Sequence, residues 1–105
     1  MTNDFNGKKE LVSRLSAVYQ RCYEHIESIE LKKYAKGERE EEFVVLTWAN
    51  GAISTANNNM NSLSATARNV ARMLDGGVYE NLDYYLEIME SDEWTEIEHE
   101  DNGRL

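Results

Sequence analysis

The chain predicts an α+β domain built from a long N-terminal helix, a β-hairpin and two further helices, and three observations carry the prediction. Apolar residues recur at helical spacing across residues 8–34. A β-branched and aromatic run, Phe43-Val44-Val45-Leu46-Thr47-Trp48, is followed by Asn50-Gly51 and a second short run, Ala52–Ala56. Two more helical stripes come after it, separated by Gly76-Gly77. The order is α-β-β-α-α, with one more element, a C-terminal edge strand, left open.

The first helix is placed from Lys8 to Tyr34. Leu11, Leu15, Val18, Cys22, His25 and Ile29 repeat in alternating steps of four and three, the spacing of a single buried stripe. Glu10 and Arg14 form a favourable i,i+4 pair on its exposed side. At about 1.5 Å per residue such a helix is roughly 40 Å long, more than a domain of this size requires. That length raises the expectation of a homodimer joined through residues 8–34. Gly37 and the run Glu38-Arg39-Glu40-Glu41-Glu42 then read as a helix stop and a solvated connection.

Phe43–Trp48 has strand composition, and Asn50-Gly51 is a strong hairpin signal. A two-residue turn sets Trp48 opposite Ile53 and Leu46 opposite Thr55. Val44, Leu46, Trp48 and Ile53 are then expected on the core face. Asn57-Asn58-Asn59 reads as a polar loop leading to Asn61 or Ser62, either of which caps a second helix, Leu63 to Asp75. Its stripe is Leu63, Ala67, Val70 and Leu74. The third helix is placed from Val78 or Tyr79 to about Ser91, with Val78, Leu82, Tyr85 and Met89 inward. The expected core also includes Leu11, Leu15 and Val18. Residues 94–99 alternate weakly, and read either as an edge strand on the hairpin or as an acidic tail pinned by Trp94. The whole of 1–105 reads as one small domain, with 92–105 as a candidate flexible acidic tail.

A hydrophobic fraction of 41% with ten aromatics can form a core at 105 residues. One cysteine rules out an internal disulfide and fits a reducing compartment. No apolar stretch approaches the roughly 20 residues of a membrane span, and the N-terminus MTNDFNGKKE has no apolar leader segment. The expectation is a cytosolic protein without membrane contact.

Charge is the sharpest asymmetry. Residues 1–75 hold ten acids and ten bases, so the formal net charge of −9 resides in residues 76–105. Such a chain is unsuited to direct nucleic-acid binding, which relies on Lys and Arg, and suited to a basic partner. Glu80, Asp83, Glu87 and Glu90 recur every three to four residues on one helical face, about 5–6 Å apart. That spacing is comparable to the phosphates of one nucleic-acid strand. Asp92, Glu93, Glu96 and Glu98 extend the series. These eight carboxylates are the predicted partner-binding residues.

Other chemistry is weaker. Cys22 and His25 sit three apart on the helical stripe, but no second pair completes a zinc site, so a packed cysteine beside a satisfied histidine is expected. Glu96, Glu98, His99, Glu100 and Asp101 offer oxygen donors and one imidazole without the spacing of a calcium loop. They motivate a small metal-dependent enzyme only as a further alternative. No glycine-flanked nucleophile or phosphate loop is present. Arg68 and Arg72, with Lys8, Lys9, Arg14 and Arg21, would make a basic face if the first two helices lay side by side, but they read as ordinary solvated charge. No catalytic residue, metal or cofactor is predicted.

The pieces Leu46-Thr47-Trp48-Ala49-Asn50-Gly51, Asn61-Ser62-Leu63-Ser64-Ala65 and Leu74-Asp75-Gly76-Gly77-Val78-Tyr79 resemble small proteins encoded by bacteriophages and mobile elements of Gram-positive bacteria. The shared pieces are turns and caps, and they carry no site residues over. The resemblance implies a cytosolic accessory protein made during infection or element transfer. Anti-CRISPR and other counter-defence inhibitors have this size and often this acidity. The combined expectation is a non-catalytic inhibitor that occludes a basic, nucleic-acid-binding host protein. The alternative is a homo-oligomeric structural protein.

Overall fold

The computed structural model describes residues 5–59, 62–76 and 82–97. The α+β class holds. Seven elements follow in order: α1 (Phe5–Cys22), β1 (Ile26–Lys36), β2 (Arg39–Trp48), β3 (Ile53–Asn57), α2 (Leu63–Gly76), α3 (Leu82–Glu90) and β4 (Thr95–Glu96). The strands form one antiparallel sheet in the order β3-β2-β1-β4.

The first helix is shorter than its stripe suggests. It ends at Cys22, and Ile26–Lys36 is a strand paired along its length with β2, from Ile26 opposite Trp48 to Lys36 opposite Arg39. Ile29-Glu30-Leu31-Lys32 alternates with period two, and this local pattern prevails over the longer 4-3 spacing once β2 offers a partner. Gly37, with φ 61°, is not a helix stop. It opens the two-residue turn between β1 and β2. A 27-residue dimer seam over residues 8–34 therefore does not exist as a helix.

The second hairpin is where the sequence places it, one residue out of the expected register. Thr47, not Trp48, faces Ile53, and Val45 faces Thr55. The Trp48 amide donates to the Ala52 carbonyl at 2.8 Å, and the Gly51 amide to the Trp48 carbonyl at 2.8 Å. Gly51 takes a positive φ of 94°. This is a three-residue turn closed by a glycine bulge. The slip moves Ser54 and Ala56 beside Leu46 and Val44, and sends Ile53 to the other face.

Both faces of the sheet are covered, where one was expected. α1 and α2 close one face around Phe5, Val12, Ile29, Leu31, Val44, Leu46, Val70 and Met73. α3 closes the other, where Tyr85 and Ile88 meet Tyr34, Phe43 and Val45. Every residue from Glu42 to Leu46 is consequently buried. The helical stripes are rotated from the expected ones. α1 buries Phe5, Lys8, Val12 and Ser16, leaving Leu11 and Leu15 half-buried and Val18 exposed. α2 buries Thr66, Asn69, Val70 and Met73, leaving Leu63 exposed. Met89 of α3 is exposed as well. Ser62 caps α2, its Oγ accepting from the Ala65 amide at 3.2 Å. The start expected for the third helix, Val78 or Tyr79, lies outside the described residues.

β4 forms on the outer edge of β1, with Glu96 opposite Tyr34 and Thr95 opposite Ala35. It does not join the β2–β3 hairpin. Among the described residues no helix is long and apolar enough to cross a membrane.

Candidate acidic interface on the third helix

The sequence of α3, LDYYLEIME, contains no base. Tyr85 and Ile88 are buried; the Tyr85 ring meets Phe43 edge-on at 5.2 Å and Tyr34 at 6.1 Å. Helical geometry then turns Asp83, Glu87 and Glu90 to the opposite side, and all three are exposed. At steps of four and three they form one ridge, about 5–6 Å between neighbours. Asp83 sits in the first turn, where the helix dipole favours it. Glu90 sits in the last turn, where no cation offsets the partial negative charge of the helix end. The dipole and the carboxylates of Glu87 and Glu90 therefore add to one another.

The segment after α3 behaves differently. Asp92 is exposed. The Glu93 carboxylate lies 2.7 Å from Lys36 Nζ, and this contact holds its pKa below the ordinary carboxylate value. Glu96 lies 4.0 Å from Lys32 Nζ, which also faces Glu30 at 3.7 Å. Trp94 is half-buried under two cations, with Lys36 at 6.0 Å and Arg39 at 5.2 Å from its ring. Arg39 also donates to the Tyr84 hydroxyl at 2.9 Å, and that hydroxyl donates to Glu41 at 3.2 Å. Burial, then the Glu41 charge, push the Tyr84 pKa up.

The predicted acidic series thus divides. Asp83, Glu87 and Glu90 stand together on the α3 ridge with Asp92 beyond its end. Glu93 pairs with Lys36 of β1, and Glu96 lies at the limit of ion-pair distance from Lys32, both at the exposed surface. Glu80 and Glu98 lie outside the described residues.

A buried polar cluster on the α1–α2 side was not anticipated. Lys8 Nζ lies 2.7 Å from Glu42 Oε2, with both side chains under 4% exposed. Asn58 Nδ2 donates to the same carboxylate at 2.8 Å and to Thr66 Oγ1 at 3.0 Å. Asn69 Nδ2 donates to Asn58 Oδ1 at 2.7 Å. Asn59 accepts from the Glu42 amide at 2.6 Å and donates to Glu41 at 2.7 Å. Glu42 is therefore no part of a solvated connection, and the triple asparagine is a set of braces. α1 and α2 do pack together, but Lys8 faces inward, which removes it from any basic face.

Cys22 is exposed at the end of α1, and His25 lies in the turn before β1, so they do not share a packed helical stripe. His25 instead stacks on Trp48 at 5.6 Å, in a row that continues through Tyr23 to Tyr19. Of the acidic cluster around His99, only Glu96 falls within the described residues. Among those residues no group of three His, Cys, Asp or Glu side chains is placed to hold a metal ion.

A groove of about 570 Å³ runs between α1 and β1, lined by Val12, Ser16 and Ala17 on one side and Ile29, Leu31 and Lys32 on the other. No known protein family, curated protein or solved structure matches this chain.

Proposed function

We propose that the protein is a non-catalytic inhibitor that occludes a basic, nucleic-acid-binding host protein through the acidic ridge of α3. The observation that carries this reading is the alignment of Asp83, Glu87 and Glu90 on one exposed helical face without a neighbouring base on that helix. Asp92 extends it, and a formal net charge of −9 reinforces it at longer range. The resemblance to small phage and mobile-element proteins supplies the context of a counter-defence inhibitor of the anti-CRISPR kind, acting in the host cytosol. The regular spacing of carboxylates offers a basic groove what a nucleic-acid strand offers it: repeated negative charge on a rigid support.

The test is capture from host lysate on the tagged protein at about 50 mM and about 300 mM salt, a range over which the Debye length contracts. One dominant basic protein, reduced at high salt, supports the reading. The variant Asp83→Asn/Glu87→Gln/Glu90→Gln leaves the Glu93 and Glu96 contacts with β1 in place. At about 0.2–1 kcal/mol per exposed pair, it should weaken capture roughly 3- to 150-fold without altering the circular dichroism spectrum. Undiminished capture by this variant refutes the ridge as the contact surface.

A further inference from the structure

The buried cluster beneath α1 brings an amine, a carboxyl group and a side-chain amide together. β2 and β3 pair Phe43 with Asn57, and the ladder runs one step further: the Asn58 amide donates to the Glu42 carbonyl at 2.8 Å. Glu42 and Asn58 therefore stand opposite one another on one face of the sheet. Lys8 of α1 reaches down onto them. Its Nζ and the Asn58 side-chain Nδ2 contact the same oxygen, Glu42 Oε2, at 2.7 and 2.8 Å. The two nitrogens are thus no farther apart than the sum of these contacts, and the Asn58 side-chain carbon Cγ is one bond beyond Nδ2. On the other side of that carbon, Asn69 Nδ2 donates to Asn58 Oδ1 at 2.7 Å. Asn58 and Thr66 are wholly buried, and Lys8 and Glu42 are at most 2% exposed. A nucleophile, an acid–base group touching both nitrogens and a donor on the carbonyl oxygen are the groups that an amide exchange needs. A simple ion pair requires neither the shared oxygen nor the donor on the amide carbonyl.

We propose that Lys8 and Asn58 become joined by an isopeptide bond, formed once within the chain, with Glu42 as the acid–base group. The Lys8 proton passes along the 2.7 Å contact to Glu42, leaving a neutral amine beside a neutral carboxyl, a pairing suited to a site closed to bulk water. The flexible four-carbon stem of lysine lets Nζ swing toward Cγ, to a near-attack distance of about 3–3.5 Å. Nζ attacks Cγ, and the carbonyl π pair moves to Oδ1, where the Asn69 amide stabilises the oxyanion. Glu42 gives its proton to Nδ2 and takes one from Nζ. The Cγ–Nδ2 bond then breaks with its electron pair on nitrogen, and ammonia leaves as the carbonyl re-forms. The new amide keeps one hydrogen on Nζ, and Glu42 ends protonated. The step is redox-neutral and has no co-reactant. Its product ties α1 to the end of β3 and constrains the unfolded chain from residue 8 to residue 58. The proposed function depends on α3, and neither reading rests on the other.

The experiment is intact-mass spectrometry of the full chain during a timed cell-free synthesis, followed by peptide mapping. The linked chain should be lighter than its sequence by about 17 Da, one ammonia, and digestion should yield the Lys8 peptide joined to the Asn58 peptide. Ring closure at an Asn-Gly pair such as Asn50-Gly51 loses the same mass. Hydroxylamine separates the two, because it opens that ring and spares an isopeptide bond. Lys8→Arg keeps a cation for Glu42, removes the nucleophile and should hold the full sequence mass. Asn69→Ala should slow linking roughly 100- to 1,000-fold, and Glu42→Gln roughly 100- to 10,000-fold, with circular dichroism reporting the fold of each. Should Glu42→Gln fail to fold, the wild-type mass and the Asn69→Ala rate decide. An unchanged mass in the wild-type chain overturns the proposal. So does a loss that hydroxylamine removes, a loss that persists in Lys8→Arg, or an undiminished rate in Asn69→Ala or in folded Glu42→Gln.

Discussion

Lys8→Met tests how much of the fold depends on the buried ion pair. Lys8 and Glu42 are each at most 2% exposed and 2.7 Å apart. Removing the ammonium leaves a desolvated carboxylate facing the amide of Asn58. Breaking such a pair from one side costs about 3–5 kcal/mol. Against a total stability of about 5–15 kcal/mol for a domain of this size, that is a large fraction. With an unfolding entropy of roughly 2.1 cal/mol/K per residue over 105 residues, about 0.22 kcal/mol/K, the melting temperature should fall by roughly 14–23 °C. Arg14→Met is the internal control. The Arg14–Glu10 pair has the same 2.7 Å separation, but its side chains are 76% and 64% exposed. It should be worth about 0.3–0.5 kcal/mol, or about 2 °C. Lys8→Met/Glu42→Leu should recover part of the loss. It removes the orphaned charge and leaves one Asn58 amide hydrogen without its acceptor, at about 1–3 kcal/mol. Thermal and urea unfolding by circular dichroism read all three. A Lys8→Met loss below about 1 kcal/mol, or a double variant no better than the single, would refute the claim that burial makes this pair matter.

Further expectations concern titration and turn geometry. The Glu93 carboxyl should titrate below its ordinary range by NMR, and Lys36→Gln should return it. Because its folded pKa is depressed, its contribution is present above the ordinary value and disappears as pH falls through the depressed one. Tyr34 is the opposite case. Burial, then its hydrogen bond with Tyr85, raise its pKa, so it favours folding below the ordinary tyrosine value of about 10 and loses that contribution as pH rises beyond it. Alkaline unfolding should be less steep in Tyr34→Phe. Gly51→Ala should cost about 1–2 kcal/mol by urea unfolding. Its φ is 94° and its added Cβ meets nothing within 4 Å, so the whole penalty is backbone strain; an unchanged midpoint would show that the turn relaxes freely.

The parts of the fold legible in the sequence are those with local chemistry. The strand Phe43–Trp48, the glycine turn after it, the Ser62 cap and the second helix follow from residues close together in the chain. The strand Ile26–Lys36 does not, because its choice between helix and strand is decided by pairing with β2, from Lys36 opposite Arg39 out to Ile26 opposite Trp48. The hairpin register turned on whether Ala49 belongs to the strand or to the turn, a difference of one residue that exchanges the faces of Ile53 and Ser54. Of the candidate site, the exposure of Asp83, Glu87 and Glu90 follows from helical spacing around Tyr85 and Ile88. That Glu93 and Glu96 are held by Lys36 and Lys32 depends on the path of β4, which spacing does not reveal. Glu42 was hidden inside a charge run. Its one distinguishing sign is that it adjoins Phe43, where the two-sided strand begins.

Covering the sheet on both faces also shapes how the chain must fold. Phe43-Val44-Val45-Leu46 carries no charge, and until α1, α2 and α3 have all arrived it is a strand with a sticky surface on each side, the composition that seeds intermolecular β-association. The residues just before it, Glu38-Arg39-Glu40-Glu41, lie on the exposed or half-buried rim of the native sheet. In the nascent chain they act as gatekeepers, repelling a second copy of the segment before its own neighbours cover it. A charge run that looks like a passive connector is thereby a guard on the most aggregation-prone stretch of the chain.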